Sequence, residues 1–588
     1  MTFFESLSKK NILFSSICAF ILAGCSNSLP VKNEVIIHEL SDPETMNPFN
    51  FTDAQSAYIT AHVYQKLIDG DYRKTDEFIP VLAESRPKIE KTPEGKMHLT
   101  FVLRKEAKWD NGSPVLASDV EFSLKTMRCP LVNNTNAKTY LEFINDFISY
   151  PDNPRKFTIV SNEPYFVAEA TFTDMPVIPE YFYDPKGLIK GFTIKQLSEK
   201  GDSLSADPKM KEYADDFNSE KRMRDTNFIS GSGPYKFAQW VTNERLVLRK
   251  KAGWWGDSLE KENCQFEAYP DKLIFQMIKD QSTAIVSLKA GNIDVMRGIK
   301  SKDFNDLPQS EKFTSNFNAY TPVEYSYLYI ALNTKHPLLK DIYTRQAVAH
   351  LVDVPKIIST IKYGNAQPIV GPIHPSKTRS YNSSIPLYDF DLNKAKELLE
   401  KAGWKNTNGD ETLDKVIDGK RTEFVLDFIV NAGNDERKAI ALMFQEQAKK
   451  VGITVNVLTL DWAVFLGRNR NHEFCISIGK WISGPAPDEL KSTFHSSSAT
   501  GEGSNFSNYS NPEADAIMDS IRVEIDENKR YPLYHRLQEL FHDDVPMIFL
   551  YSPTEHIAIH KKFENAYPSV ARPGYWAPGF QIKAASAQ

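Results

Sequence analysis

Cysteine is scarce in this chain, with five residues in 588. Cys18 and Cys25 fall in the N-terminal stretch, leaving Cys129, Cys264 and Cys475, an odd number without metal-ligand spacing. At most one disulfide can form, so the fold has to rest on a packed core. Long apolar runs are missing too. Beyond Ile12–Leu22 nothing approaches the ~20 apolar residues of a membrane-spanning helix, and everything after Cys25 is expected to fold in water. Basic excess is absent: 70 Lys and Arg stand against 76 Asp and Glu, without basic blocks, which excludes an electrostatic footprint for nucleic acid. There is no Gly-x-Ser-x-Gly elbow and no His-Glu-x-x-His helix. His556 and His560 flank a strand-like Ile557-Ala558-Ile559 and read as a structural pair rather than a zinc site. No enzyme, metal or cofactor is therefore expected, with a secreted hydrolase as the remote alternative. No repeat, low-complexity tract or heptad stripe is present, so a monomer is expected.

The N-terminus carries Lys9 and Lys10, the apolar run Ile12–Leu22, and then Ala23 and Gly24, the layout of a secretory signal. Its end, Leu22-Ala23-Gly24-Cys25, resembles the bacterial lipobox, in which the cysteine thiol is acylated and becomes the first mature residue. Residues 1–24 are read as signal peptide, Cys25 as the lipid anchor, and 25–33 as its tether. The remaining length exceeds one core at ~150 residues per domain and suggests two or three packed units.

Glu34–Leu40 reads as a first strand and residues 55–67 as a helix. Met97, Leu99, Phe101 and Leu103 alternate with polar or outward positions, a strand with one buried face, and Asn111-Gly112 marks a turn. From about Pro130 to Arg224 no long amphipathic period is visible, and this stretch reads as an elaboration. Strands resume at 235–240, 245–249 and 272–277, followed by a helix at 282–288 with Gly291 as its stop. Strand 423–430, helix 435–451 and strand 453–460 form a βαβ unit. Ile440, Met443, Phe444, Ala448 and Val451 share one helix face, and Gly452 is the exit. Such a crossover makes the two strands parallel, so the fold class is α/β.

Four ordered stretches resemble the peptide/nickel class (dipeptide/oligopeptide-binding, family 5) of extracytoplasmic solute-binding proteins of ABC importers. They are Pro43–Pro48 with Val63–Leu67; Leu103-Arg104, Trp109–Pro114 and Ala117–Ser123; Gly231–Phe237 with Gly253–Trp255 and Ala290–Asp294; and Ala331–Thr334, Arg345–Ala347, Asp353, Asn511–Asp515 and Asp544–Ile548. The resemblance implies a two-lobed periplasmic-binding-protein fold of the large-cluster type with an extra subdomain inserted in lobe one. Lobe one would span 34–320, with the insertion at about 75–225, lobe two 321–548, and 549–588 would return to lobe one. It also implies capture of a peptide or peptide-like ligand between the lobes and delivery to permease and ATPase subunits from the outer side of a membrane.

By the same resemblance the ligand-lining strand is Ile478–Gly484, with Trp481, Ile482, Ser483 and Gly484 at the cleft, faced by Thr52, Asp53 and Ala54. Family members that hold a free α-amino group carry Asp three residues after this tryptophan, where this chain has Gly484. The next acid is Asp488, which also reads as a cap for a helix beginning near Glu489. Asp53 is a second candidate partner for a cation, and Asn505 and Tyr140 are expected to line the pocket. Binding of a metal chelate or an oligosaccharide, and a sensor or chaperone role on the same fold, are the alternatives that fold alone leaves open.

Overall fold

The computed structural model describes residues 32–51, 53–74, 77–133, 141–500 and 503–583. Two large sheets organise it. The first has seven strands, ordered Phe317–Tyr320, Ile557–His560, Val295–Met296, Glu34–Glu39, Lys272–Met277, Arg245–Lys250 and Tyr235–Val241. The second has six, ordered Ala366–Pro368, Met547–Pro553, Ser326–Leu332, Ile476–Ile482, Val425–Asn431 and Thr454–Leu460. Each is covered by helices and has its own core, which gives a two-lobed α/β fold.

The chain crosses between the sheets twice. One crossing lies between Tyr320 and Ser326, the other between Pro553 and Ile557, and Val323 bridges Thr554 where they pass. The second crossing comes later than the expected return at 549, because Met547–Pro553 pairs with Ser326–Leu332 and belongs to the second sheet.

The βαβ unit forms as its pattern predicts. Val425–Asn431 and Thr454–Leu460 run parallel in full register, and Asp435–Lys449 buries Ile440, Phe444 and Ala448 against them. Gly452 takes φ +82°, a left-handed exit that glycine accepts without cost.

The insertion contains a four-stranded sheet, ordered Lys88–Lys91, Met97–Val102, Lys156–Ser161 and Asp146–Ser149, backed by helices Ala117–Arg128 and Pro208–Phe217. Leu99, Phe101, Phe157 and Tyr213 of this unit share one core with Val35 and Leu246 of the seven-stranded sheet. The region that showed no period thus holds regular structure. Lys156–Ser161 alternates only over Lys156, Phe157, Thr158 and Ile159, a run too short to stand out, and its polar Thr158 and Ser161 are buried with the apolar residues.

Residues 55–67 were expected to be one helix, yet it runs only over Ala54–Thr60. The carbonyls of His62 and Val63 turn aside to accept from the amides of Tyr235 (3.2 Å) and Gly233 (2.9 Å). Gly231 and Gly233 are required there, since a Cβ on Gly233 would lie 2.7 Å from the His62 and Val63 oxygens.

Candidate functional site

The second sheet presents a partly open edge. Ile476–Ile482 pairs with Ser326–Leu332 along its whole length, but on its other side the ladder with Val425–Asn431 ends at Ile429 and Ser477. Beyond that point residues 478–482 offer backbone groups along a strand that the neighbouring strand no longer tracks, the geometry an extended chain uses to add itself to a sheet. Trp481 stands opposite Tyr327 and is half-buried against the cluster of Tyr327, Tyr329 and Ile429. Ile482, by contrast, is 62% exposed.

Past the strand, the Ser483 amide donates to the Tyr325 carbonyl at 3.0 Å, tying the loop to the first crossing segment. Gly484 follows, and a Cβ built on it meets nothing within 4 Å. Asp488 is drawn inward. Its carboxylate accepts from Lys377 Nζ at 2.8 Å, with side chains only 9% and 4% exposed, while Lys377 also donates to the Ala486 carbonyl at 2.6 Å. Burial pushes the Asp488 carboxyl above its ordinary range, against the pull of Lys377. The capping role considered for Asp488 falls to Glu489, whose carboxylate accepts from the amides of Lys491 and Ser492, both at 3.2 Å.

On the first lobe Asp53 caps helix Ala54–Thr60, accepting from the Ser56 amide at 2.8 Å, while Ala54 is exposed. Asn505 has a structural role in place of the expected lining one. It is 1% exposed, and its amide is spent on the carbonyls of Phe494, His495 and Tyr509. Cys25, Thr52 and Tyr140 lie outside the described residues.

Several groups near these walls were not anticipated. Arg297 pairs with Glu39 at 3.2 Å and stacks its guanidinium 4.8 Å from the Tyr58 ring. Glu39 ends strand Glu34–Glu39 and Arg297 follows the parallel strand Val295–Met296, so both stand at carboxyl ends, where α/β sheets place ligands. That rule would have singled out Arg297 had the short second strand been recognised. Burial raises the Glu39 carboxyl even beside Arg297.

Glu324 sits in the first crossing segment. It accepts from Lys480 at 2.7 Å and from Ser326 Oγ at 2.9 Å and pairs with Arg572, so it links the six-stranded sheet to the chain that has returned to lobe one. Burial opposes its ionisation, but Lys480 and Arg572 hold its carboxyl below the ordinary value of 4.5. A depressed carboxyl contributes stability that is present above its unfolded value and lost as pH falls through the folded one. The lobes are therefore expected to loosen below about pH 4.5, read as a rise in radius of gyration by small-angle scattering. In Glu324→Gln that acid step should be absent, and an unchanged step would show that other carboxylates govern it.

The lobes also touch away from the crossing. Phe166, in the inserted subdomain, is 6% exposed and lies in the cluster of Tyr327, Ile521 and Tyr534 from lobe two. Its amide donates to the Arg522 carbonyl at 3.2 Å, Arg530 lies 5.4 Å from its ring, and Arg522 lies 5.4 Å from that of Tyr165. Arg86 pairs with Glu169 at 2.6 Å and with Glu527 of lobe two at 3.2 Å.

Among the described residues no group of three or more His, Cys, Asp or Glu is placed to hold a metal. Cys129, Cys264 and Cys475 are buried and form no disulfide among the described residues. His556 donates from Nδ1–H to the Ile299 carbonyl at 2.6 Å, and its ring stacks on Phe304, a structural setting.

Residues 77–502 match the family described as bacterial extracellular solute-binding proteins, family 5. The chain is 28% identical to the oligopeptide-binding protein AppA of Bacillus subtilis over 93% of its length and 94% of that protein's. It is 25% identical to the dipeptide-binding protein of Escherichia coli over 92% of each. Among solved structures it superposes on B. subtilis AppA in complex with a nonapeptide with a TM-score of 0.62, 25% identity, and coverage of 94% and 99% of the two chains. It superposes on the murein tripeptide-binding protein MppA in its unliganded open form with a TM-score of 0.74 at 17% identity, covering 94% and 98%.

Proposed function

Because this chain belongs to the bacterial extracellular solute-binding proteins of family 5, we propose that it captures a peptide or peptide-like solute between its lobes and hands it to the permease and ATPase of an ABC importer. The observation that carries the peptide reading is the open strand edge at residues 478–482, beside exposed Ile482 and the roomy Gly484. An extended ligand can pair there through its backbone, which gives affinity without dictating sequence. Relatives over almost the whole chain are named for oligopeptide and dipeptide binding, and one was solved with a nonapeptide.

Capture works by population shift. A ligand that contacts both walls only when the lobes are together stabilises that arrangement by its differential affinity, and the importer can read the resulting shape. The two crossing segments, bridged at Val323 and Thr554, are the natural hinge.

Native mass spectrometry of the gently purified protein tests the reading. A heterogeneous set of short peptides released on denaturation is the expected result; a single non-peptide mass would remove the peptide assignment and leave the two-lobed binding mechanism in place.

The export reading places the protein outside the cytoplasm, held to a membrane by acylated Cys25. Cys25→Ala is expected to move the protein from the membrane fraction to the soluble extracytoplasmic fraction. Retention of this variant in the membrane pellet would rule out the acylated thiol as the anchor.

A further inference from the structure

A ligand that buries a free α-ammonium needs an uncommitted carboxylate, because a buried charge without a partner is strongly disfavoured. The lobe-two wall offers none at the place where the strand edge ends. Gly484 has no side chain, though the space beside it is open. Asp488 is turned inward and neutralised by Lys377 at 2.8 Å, in a pair less than a tenth exposed on either side. That pair also pins the loop, since Lys377 holds the Ala486 carbonyl and Tyr534 donates to the Asp488 carbonyl at 2.7 Å. Glu324, the nearest acid on the crossing segment, is taken by Lys480 and Arg572. On lobe one Asp53 accepts from the Ser56 amide at the start of helix Ala54–Thr60 and from the Glu44 amide, so both its oxygens are engaged by backbone.

We propose that this cleft selects peptides whose N-terminus is acylated, with Gly484 and the Lys377–Asp488 pair as the residues that set this preference. An acylated N-terminus replaces the ammonium by a neutral amide. Its N–H and C=O continue the backbone pattern offered by the open edge at 478–482, and its acyl group occupies the empty space beside Gly484. The inference rests on the peptide reading and names its ligand class.

The test uses the full chain stripped of co-purified ligand and a library of short peptides supplied as an equimolar mixture of free-amine and N-acetyl forms. The retained peptides are read by mass spectrometry. Wild type is expected to retain the acetylated forms about tenfold over the free ones. Gly484→Asp has room for its side chain and should shift the retained ratio about tenfold toward free amines, the scale of a charge-assisted hydrogen bond. Lys377→Met, which frees Asp488, should shift it in the same direction; if that variant fails to fold, Gly484→Asp still decides. Equal retention of the two forms, or a wild-type preference for free amines, above all one abolished by Asp53→Asn, would overturn the proposal while leaving the peptide reading standing. Retention of neither form would bring down both, which separates the two failures.

Discussion

Phe166→Ala is expected to shift the ligand-free protein toward separated lobes and to weaken ligand binding. Phe166 is the point where the inserted subdomain enters the core of lobe two, and the surrounding contacts join the same two lobes: an amide to the Arg522 carbonyl, guanidinium groups over Tyr165 and Phe166, and the Arg86–Glu527 pair. Rotation about the crossing segments that parts the lobes on this side has to withdraw the ring from Tyr327, Ile521 and Tyr534. Burying a phenylalanine is worth about 2 kcal/mol. If the joined arrangement carries the binding-competent site, the apparent Kd rises by the fraction of competent protein lost, about 30-fold at most. Small-angle scattering of the ligand-free protein, with peptide titration by calorimetry, reads both effects. An unchanged radius of gyration together with unchanged affinity would show that the Phe166 contact survives lobe motion and takes no part in it.

Gly231→Ala is expected to act on folding rather than on binding. A Cβ at Gly231 would overlap the Val63 carbonyl oxygen, and the neighbouring Gly233 is equally close to backbone. Backbone cannot rotate away as a flexible side chain can, so the cost belongs at the upper end of overpacking, about 3 kcal/mol. For a chain of this size, melting as one unit or lobe by lobe, that is a loss of roughly 2–5 °C in Tm. Gly191→Ala is the matched control: a Cβ there meets nothing within 4 Å, and its φ lies outside the left-handed region, so no fall in Tm is expected. Equal melting of the two variants would show that the turn at Val63 shifts to make room.

The same glycines show where sequence reading stopped. The run Gly231–Phe237 was visible as a motif, but its physical reason, close approach to the His62 and Val63 backbone, needed two segments far apart in the chain to be brought together. Helix Asp435–Lys449 and its flanking strands were legible because an amphipathic face and a glycine exit are local signals. The strand Lys156–Ser161 was not, since its alternation spans only four residues and Thr158 and Ser161 are polar yet buried. At the site, Gly484 and Trp481 could be located from their run in the chain. The engagement of Asp488 by Lys377 could not, because that pair joins residues more than a hundred positions apart.

The sequence by itself determined the class and fold type of the protein: an α/β chain of the family 5 solute-binding type. Those properties reside in composition, local periodicity and ordered motifs, all of which are written along one dimension. Only the tertiary structure decided which charges are free and which are spent. It turned Asp488 inward to Lys377, set Asp53 at a helix start, placed Glu324 between Lys480 and Arg572, and carried Phe166 into the opposite lobe. The reason is electrostatic and steric: a side chain's charge and reach are fixed by its chemistry, but its partner is fixed by which distant segment the fold lays beside it.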